Sequence, residues 1–216
     1  MFLSRKLFNK QIDKRIKQTN ELCFIDVGAN KGQFSKVFTS LFRVERHILI
    51  EPIEECVTYL KDMYPSSVVI QTILSDVQKT STFYQGEFTD VSSMLKIKSD
   101  EKCLQNINTA VQKEVQIDTT TLDEVVRNNK VKRIDFLKLD VQGAEEMVLE
   151  GGSESLKNTK FIYTEASLRS LYEHSSTIES LYNKLLNYDF KLVYVNDGFN
   201  TKNEGIVQLN LLFEKN

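Results

Sequence analysis

The sequence predicts an α/β fold built on an open, Rossmann-like, doubly wound sheet that is mostly parallel, and three observations support this. Short apolar runs alternate with segments whose apolar residues recur at helical spacing. Several of the runs end in an acidic residue, as at Asp26, Glu51 and Asp140. A turn bounded by Gly28 and Gly32 joins the first run to the first helical segment. This order is typical of consecutive βαβ units in a parallel sheet.

The first half of the chain predicts alternating strands and helices. Phe34, Val37, Phe38 and Leu41 fall on one face of a helix, and Pro52 stands at a favourable first helical position. The β-branched segment that follows Pro65 predicts another strand. We therefore expect strands at 21–27, 46–50 and 67–72, and helices at 33–42 and 54–63.

The second half begins with residues 79–116, which we interpret as an excursion from the sheet, of the kind that forms a lid, with short strands at 82–84 and 115–117. A Thr cap followed three residues later by an acid opens a short helix at 120–124. Gly151 and Gly152 end a helix at 144–149. We expect further strands at 133–139 and 160–164, a helix at 178–186, and an antiparallel hairpin of 190–195 with 206–213 around Asn196-Asp197-Gly198.

Composition limits the class of protein. The 216 residues suit one α/β domain, which we place at 21–216, and the net charge of −2 gives no general reason to expect a nucleic acid partner. Cys23, Cys56 and Cys103 lack C-x-x-C spacing, which favours free thiols in a reducing compartment. Because no apolar run approaches about 18 residues, we expect no transmembrane segment and a cytoplasmic location.

Residues 1–20 are basic and carry apolar residues at nearly helical spacing. This pattern predicts an N-terminal basic helix. The helix either packs on the domain and caps its ligand cleft, or makes a peripheral contact with a membrane surface.

The turn after the first strand, DVGANKG at 26–32, predicts a nucleoside site. Glycines let the backbone approach a ligand closely, and the following helix points free N–H groups toward it. A dinucleotide site has the pattern G-x-G-x-x-G, because a pyrophosphate lies on the helix N-terminus. Here Asn30 replaces the middle glycine and Asp26 adds negative charge. These features favour S-adenosylmethionine, which carries ammonium and sulfonium cations and no phosphate.

Each cofactor contact can be assigned to a strand end. Gly28, Asn30 and Gly32 approach the methionine part, and Asp26 either steadies the loop or meets the ammonium group. Glu51 accepts the ribose hydroxyls. We assign Ile53 to a contact with the adenine. Ser75 and Asp76 stand at the end of the third strand and complete the predicted cofactor site. Asp76 either accepts the adenine amino group or is an ordinary turn acid.

With these motifs in place, the chain resembles the FkbM-type methyltransferases, a branch of the class I S-adenosylmethionine-dependent enzymes. The resemblance rests on FIDVGANKG, the Glu51-Pro52 pair and DFLKLDVQGAEEMVLEGG, and it covers roughly residues 21–165. Ser92 and Ser93 resemble a serine pair common in the family. The family's usual form of the last block is D-x-E-G-x-E, so Gln142 stands where an acid is common.

The resemblance implies a seven-stranded sheet whose last strand is antiparallel. It also implies O-methyl transfer to a hydroxyl of a sugar or glycan-like small molecule, with a small-molecule or glycan acceptor and no nucleic acid. Two alternatives remain at this point. A non-catalytic S-adenosylmethionine-binding module is favoured by Gln142, and a nucleotide-sugar oxidoreductase is disfavoured by the missing G-x-G-x-x-G.

Transfer to a hydroxyl requires a base, and the sequence has four candidates. Asp140 follows the central strand, Glu165 follows the next, and Glu145 belongs to the family pattern but also suits the first turn of a helix. His174 has the most suitable ordinary pKa, although a lone histidine is more often a surface residue. Asp140 and Glu165 could instead share a divalent metal such as Mg²⁺, for which no third ligand has a fixed spacing.

Overall fold

The computed structural model describes residues 15–16, 21–98, 111–203 and 205–216. Its strands are β1 (Leu22–Val27), β2 (Val44–Ile50), β3 (Val68–Ile70), β4 (Ile73–Leu74), β5 (Thr80–Gly86), β6 (Val111–Thr120), β7 (Ile134–Leu139), β8 (Thr159–Ser167), β9 (Phe190–Asp197), β10 (Asn200–Thr201), β11 (Gly205–Ile206) and β12 (Gln208–Lys215). Its α-helices are α1 (Gln33–Leu41), α2 (Glu54–Met63), α3 (Leu122–Asn128), α4 (Glu145–Glu150) and α5 (Ile178–Asn187).

The main sheet has seven strands in the order β3-β2-β1-β7-β8-β12-β9. The first four neighbouring pairs, from β3/β2 to β7/β8, are parallel. β12 is antiparallel to both β8 and β9. The predicted fold class, a mostly parallel seven-stranded sheet closed by an antiparallel hairpin, is therefore confirmed.

The core lies on both faces of this sheet because successive side chains of a strand point to opposite faces. Phe24 and Phe136 pack with Phe38 of α1 in an aromatic cluster on one face. Ile25 and Leu137, their neighbours in sequence, belong to an aliphatic cluster on the other face. All six residues of β1 and of β7 are buried, which explains why these strands appear in the sequence as almost continuous apolar runs.

Most strands differ from their predicted bounds by one to four residues at either end, and two places show the physical reason. β8 continues through Glu165 to Ser167, because β12 pairs with it as far as the contact of Gln208 with Ser167. The connection of the hairpin is also shifted along the chain, to residues 198–207. Asn196 and Asp197 belong to β9, and the small pair β10–β11 forms the tip beyond them. In both places, hydrogen bonding to a neighbouring strand extends a segment that contains polar residues.

The described part of the excursion at 79–116 contributes β5 and the first part of β6 to a second sheet, of order β4-β6-β5. β5 and β6 pair antiparallel along their length, and β4 joins them by a parallel contact with the end of β6. A short 3₁₀ helix, Thr89–Val91, follows β5. Residues 99–110 of the excursion, including Cys103, lie outside the described residues.

Most of the predicted basic helix at 1–20 also lies outside the described residues. Arg15 and Ile16 are described and helical: Ile16 is buried in the aromatic cluster, and Arg15 forms an ion pair with Glu214 of β12. Among the described helices, none has the length and hydropathy that a membrane crossing requires.

Candidate active site

A cavity of about 700 Å³ lies at the carboxyl ends of the parallel strands, and we call it the strand-end cavity. This volume is within the range of small-molecule sites. Its wall includes the loop after β1, the end of β2, the start of the excursion, the end of β7, and parts of β8, β9 and β12. Segments distant in the sequence therefore meet here, as expected for ligand sites of open α/β sheets.

The loop after β1 is held against the ends of two strands. The N–H of Gly28 donates to the carbonyl of Ile50 at 3.0 Å, and a Cβ added to Gly28 would lie 1.9 Å from the carbonyl oxygen of Asp140. Gly28 also has φ of +71°, which favours glycine. Gly32, with φ of +72°, lies at the start of α1 against the ring of Tyr64 and does not line the cavity.

Asn30 connects this loop to the excursion. Its side-chain amide donates to the hydroxyl of Thr89 at 3.0 Å and to the carboxylate of Asp90 at 2.7 Å. All three residues line the cavity. The Asn30 side chain thus holds the 3₁₀ helix of the excursion over the loop, a contact that the sequence analysis did not foresee.

Glu51 is held in the cavity wall by two backbone amides. Its carboxylate accepts from the N–H of Asn30 at 2.8 Å and from the N–H of Ile53 at 2.9 Å. The residue is 4% exposed, and burial raises the pKa of Glu51 to about 7 although these amides act against the shift. Ile53 lines the cavity beside it.

Asp26 lies behind the cavity wall, fully buried. It accepts from the hydroxyl of Ser35 at 2.6 Å, and the ammonium of Lys138 lies 3.1 Å from its other oxygen. Lys138 also donates to the carbonyl of Gly28 at 2.6 Å and lies 3.6 Å from Asp140. Of the two expected roles for Asp26, this position fits the one in which it steadies the glycine loop.

Lys138 is a charged residue next to the cavity that the sequence analysis missed. Burial by itself lowers the pKa of Lys138, but the carboxylates of Asp26 and Asp140 outweigh it and raise that pKa above its usual value. The available signal was a lysine inside the apolar run of β7, since a buried lysine needs a paired carboxylate.

Asp140 and Glu165 meet in the cavity through Gln142. The amide nitrogen of Gln142 donates to Asp140 at 2.8 Å and to Glu165 at 3.2 Å. The side-chain amide of Gln208 donates to the same oxygen of Glu165 at 2.8 Å. The hydroxyl of Tyr172 donates to the side-chain carbonyl of Gln142 at 2.9 Å. An ionised carboxylate at position 142 could not donate hydrogen bonds to Asp140 and Glu165, so these contacts give a structural reason for glutamine there.

Burial raises the pKa of Glu165 well above its usual value, and the neighbouring carboxylates of Asp140 and Glu145 add to this effect. Asp140 has 19% of its side chain exposed, and both Asp140 and Glu165 are half-buried.

Glu145 and His174 do not line the cavity. Glu145 is buried and accepts from the N–H groups of Val141 and Gly143 at 3.1 and 3.2 Å, so it orders the loop after β7 instead of reaching the cavity. Burial raises the pKa of Glu145 to about 7. His174 is exposed, on a turn with φ of +59°. The structure therefore does not bring these two candidate bases into the cavity with Asp140 and Glu165.

Ser75 and Asp76 also lie outside the cavity wall. The buried Ser75 hydroxyl donates to Asp76 at 2.8 Å, a bond that lowers the pKa of Asp76, and Lys79 lies 3.7 Å from the same carboxylate. The wall at this point is formed by Thr72 and β4, because the chain turns away from the cavity after Leu74. Asp76 is therefore placed as a turn acid.

Ser93 of the serine pair fastens the excursion to the loop after β7, and Ser92 makes a bond within the excursion. The hydroxyl of Ser93 donates to the carbonyl of Gln142 at 2.9 Å, and the hydroxyl of Ser92 accepts from the N–H of Gly86 at 3.0 Å. Together with the contacts of Asn30, the Ser93 bond holds the excursion across one side of the strand-end cavity. Among the described residues, no group of three His, Cys, Asp or Glu side chains is placed to hold a metal ion.

Comparisons with known proteins agree with the fold and the motifs. The profile of the "Methyltransferase FkbM domain" matches residues 26–192. A segment of 75 residues is 36% identical to "2-O-methyltransferase NoeI" from Sinorhizobium fredii strain NGR234, and it covers 35% of this chain and 31% of that protein. The chain therefore spans about a third of this curated relative.

Solved structures with low identity share the fold. Methyltransferase FkbM from Methylobacillus flagellatus superposes with a TM-score of 0.58 at 14% identity, over 98% of this chain and 46% of that chain. TrmK from M. capricolum, in complex with S-adenosylhomocysteine, has a TM-score of 0.53 at 10% identity, over 100% and 70% of the two chains. ChlM from Synechocystis, with bound S-adenosylmethionine, has a TM-score of 0.52 at 8% identity, over 95% and 77%.

Proposed function

This chain belongs to the FkbM methyltransferase family, and from that premise we propose that it transfers a methyl group from S-adenosylmethionine to a hydroxyl of a sugar or glycan-like small molecule. One observation carries the proposal: the glycine loop and Glu51 share a cavity with Asp140 and Glu165. A cofactor and an acceptor bound side by side in this cavity would therefore contact both the residues assigned to the nucleoside and the pair of carboxylates. The 2-O-methyltransferase name of the relative NoeI supports transfer to oxygen.

The residues present fit the cofactor. The Gly28 backbone packs against the Asp140 carbonyl with no room for a Cβ, and this holds the glycine loop in the cavity wall, where a ligand can contact its backbone. Glu51 presents a carboxylate that two amides hold in the wall, suited to ribose hydroxyls, and Ile53 supplies an apolar surface suited to adenine. When bound, S-adenosylmethionine supplies an activated methyl group, so the protein contributes mainly alignment and proton removal.

We assign proton removal to Asp140. It is the carboxylate that follows β7, next to the glycine loop, and its side chain is partly open to the cavity. Gln142 fixes one of its oxygens, and Lys138 lies near the other. Glu165 is the second carboxylate at this place, and the amides of Gln142 and Gln208 hold it. A positioned base of this kind contributes about 10²–10⁴-fold to the rate.

Cofactor binding is tested by calorimetry with S-adenosylhomocysteine. We expect Glu51→Ala to bind about 10- to 100-fold more weakly, since hydrogen bonds to a charged group contribute about 1.5–3 kcal/mol. Glu54→Ala, which removes an exposed acid three residues away, is the matched control and should bind like the wild type. Equal binding by Glu51→Ala would show that the ribose assignment is wrong.

Transfer is tested with S-adenosylmethionine labelled in its methyl group and a panel of neutral glycosides. Asp140→Asn should lower kcat by at least about 10²-fold while S-adenosylhomocysteine still binds. A parallel reaction with EDTA reports whether a divalent metal takes part. If transfer proceeds unchanged in Asp140→Asn and in Glu165→Gln, neither carboxylate is the base.

A further inference from the structure

One end of the strand-end cavity is formed by β7, β8, β9 and β12, and we call it the acceptor end. It lies beyond the glycine loop and Glu51, which we assign to the cofactor. The side chains that line it combine two carboxylates with a phenol and neutral amides. They are Asp140, Tyr163, Glu165, Asn196, Gln208 and Asn210.

The described wall of the whole cavity carries no cationic side chain. Its charged residues are the acids Glu51, Asp90, Asp140 and Glu165. The neighbouring Lys138 side chain is 5% exposed, and its ammonium is already paired with Asp26 and Asp140. An anion at the acceptor end would therefore face carboxylates without a cation to compensate them, and like charges placed together in a recognition site are strongly unfavourable.

Tyr163 supplies a second, independent observation. It lines the cavity, is 2% exposed, and its hydroxyl has no hydrogen-bond partner among the described residues. Burial raises the pKa of Tyr163, and the nearby carboxylates of Asp140 and Glu165 raise it further, so the phenol keeps its proton. A buried hydroxyl without a partner is costly unless a ligand oxygen completes its hydrogen bond.

We propose that the acceptor end binds an uncharged polyhydroxylated group, with the Tyr163 hydroxyl as one of its hydrogen-bond partners, and that it rejects phosphorylated acceptors. This inference rests on the proposed methyl transfer, because it assigns the remainder of the cavity to the acceptor. Neutral hydroxyls can donate to the carboxylates and accept from the phenol and the amides. A phosphate can only accept, and it adds negative charge.

The first test uses the protein saturated with S-adenosylhomocysteine and saturation-transfer NMR. The probes are glucose, galactose and mannose, each beside its 6-phosphate. We expect at least one neutral sugar to bind, and its phosphate to bind at least about tenfold more weakly. Stronger binding of the phosphates, or no binding of any neutral sugar, overturns the proposal.

A charge change at the rim gives a gain-of-function test. Asn196 is half-buried in the cavity wall, so Asn196→Lys brings an ammonium to the acceptor end without disturbing the core. We expect this variant to bind the sugar phosphates about tenfold more tightly than the wild type does. Asn187→Lys, the same change at an exposed position of α5, is the control and should leave the preference unchanged. An unchanged preference in Asn196→Lys contradicts the proposal.

Tyr163→Phe tests the hydroxyl itself. Because that hydroxyl has no hydrogen-bond partner within the part of the chain that the structure describes, its removal should leave the melting temperature equal or higher, whereas binding of the neutral sugar weakens about 5- to 20-fold. Tyr182→Phe on α5 is the matched control. A lower melting temperature with unchanged sugar binding would show that Tyr163 has only a structural role.

The two proposals can fail separately. Absence of S-adenosylhomocysteine binding in the wild type contradicts the proposed methyl transfer. Normal S-adenosylhomocysteine binding combined with a preference for phosphates contradicts only the selectivity proposed for the acceptor end.

Discussion

Replacing Lys138 with Met removes the buried ammonium that lies 3.1 Å from Asp26 and 3.6 Å from Asp140. At an effective dielectric constant of about 20, the attraction to each carboxylate is about 5 kcal/mol, before the cost of desolvating the lysine is subtracted. Met fills a similar volume, so the main loss is electrostatic. Asp26 would remain fully buried with only the Ser35 hydroxyl as a side-chain partner among the described residues.

We expect Lys138→Met to lower the free energy of unfolding by about 3–5 kcal/mol, the usual cost of breaking a buried ion pair by removing one partner. The measurement is urea denaturation of the ligand-free protein, with a comparison of midpoints and slopes. Lys191→Met removes an exposed lysine 3.9 Å from Glu214 and should cost about 0.5 kcal/mol or less.

The double variant Asp26→Asn with Lys138→Met separates the charge effect from packing. If an uncompensated carboxylate causes the loss, removal of that charge should recover about 2 kcal/mol or more. A cost below about 1 kcal/mol for Lys138→Met, or a double variant no more stable than the single one, would refute this reasoning.

Three further predictions concern the site. Gly28→Ala should abolish S-adenosylhomocysteine binding in calorimetry, because the added Cβ would lie 1.9 Å from the Asp140 carbonyl oxygen and the loop must move. Ligand binding to an ionised Glu51 should weaken about tenfold for each pH unit below its pKa of about 7, and should not change above it. Glu51→Gln should show no such dependence in the same titration. Gln142→Glu places a third carboxylate beside Asp140 and Glu165, so it should move the acidic limb of the kcat/KM profile to higher pH by about one unit or more.

Each of these predictions has a contrary outcome. Wild-type affinity in Gly28→Ala would mean that the loop tolerates a side chain and that its tight turn is not needed for the ligand. A flat titration in the wild type would show that Glu51 does not need to lose a proton when the ligand binds. An unshifted kcat/KM profile in Gln142→Glu would show that a charge at position 142 does not affect the group whose protonation limits the reaction.

The sign of the Glu51 effect follows from linkage. Burial raises its pKa in the folded, ligand-free protein, so the folded state retains a proton that the unfolded chain releases. The contribution of Glu51 to stability therefore decreases as the pH rises from its ordinary pKa of 4.5 to about 7, and it is constant above that. The affinity for a ligand that requires the ionised carboxylate changes in the opposite sense, because it increases as the pH rises toward 7.

Much of the fold could be predicted because its elements depend on local patterns. The helix predicted at 54–63 has those bounds in the structure, and the Thr cap expected at 120–124 is Thr121, which accepts from the N–H of Glu124 at 3.1 Å. The bounds of β8 were wrong, since a strand that contains Glu165 is extended only by its pairing with β12. Local sequence carries little information about such long-range hydrogen bonds.

The candidate site could be predicted in part. The placement of Gly28, Asn30, Glu51, Asp140 and Glu165 in one wall follows from their positions at the carboxyl ends of the parallel strands. Other residues predicted for the site follow the same sequence pattern but lie outside the cavity wall. Ser75 and Asp76 turn away after β4, and Glu145 folds back on its own loop. A side chain's direction is set by its neighbours in space, which spacing along the chain does not reveal.

By itself, the sequence determined the α/β class, the glycine turn that precedes α1 and the acidic residues at the strand ends, because each depends on residues adjacent in the chain. Only the tertiary structure decided which of these carboxylates share a cavity, and that Lys138 and Gln142 lie between them. The physical reason is that ion pairs and side-chain hydrogen bonds act over about 3–4 Å in space. In this protein, those distances join residues more than a hundred positions apart, as Asp26 and Lys138 are.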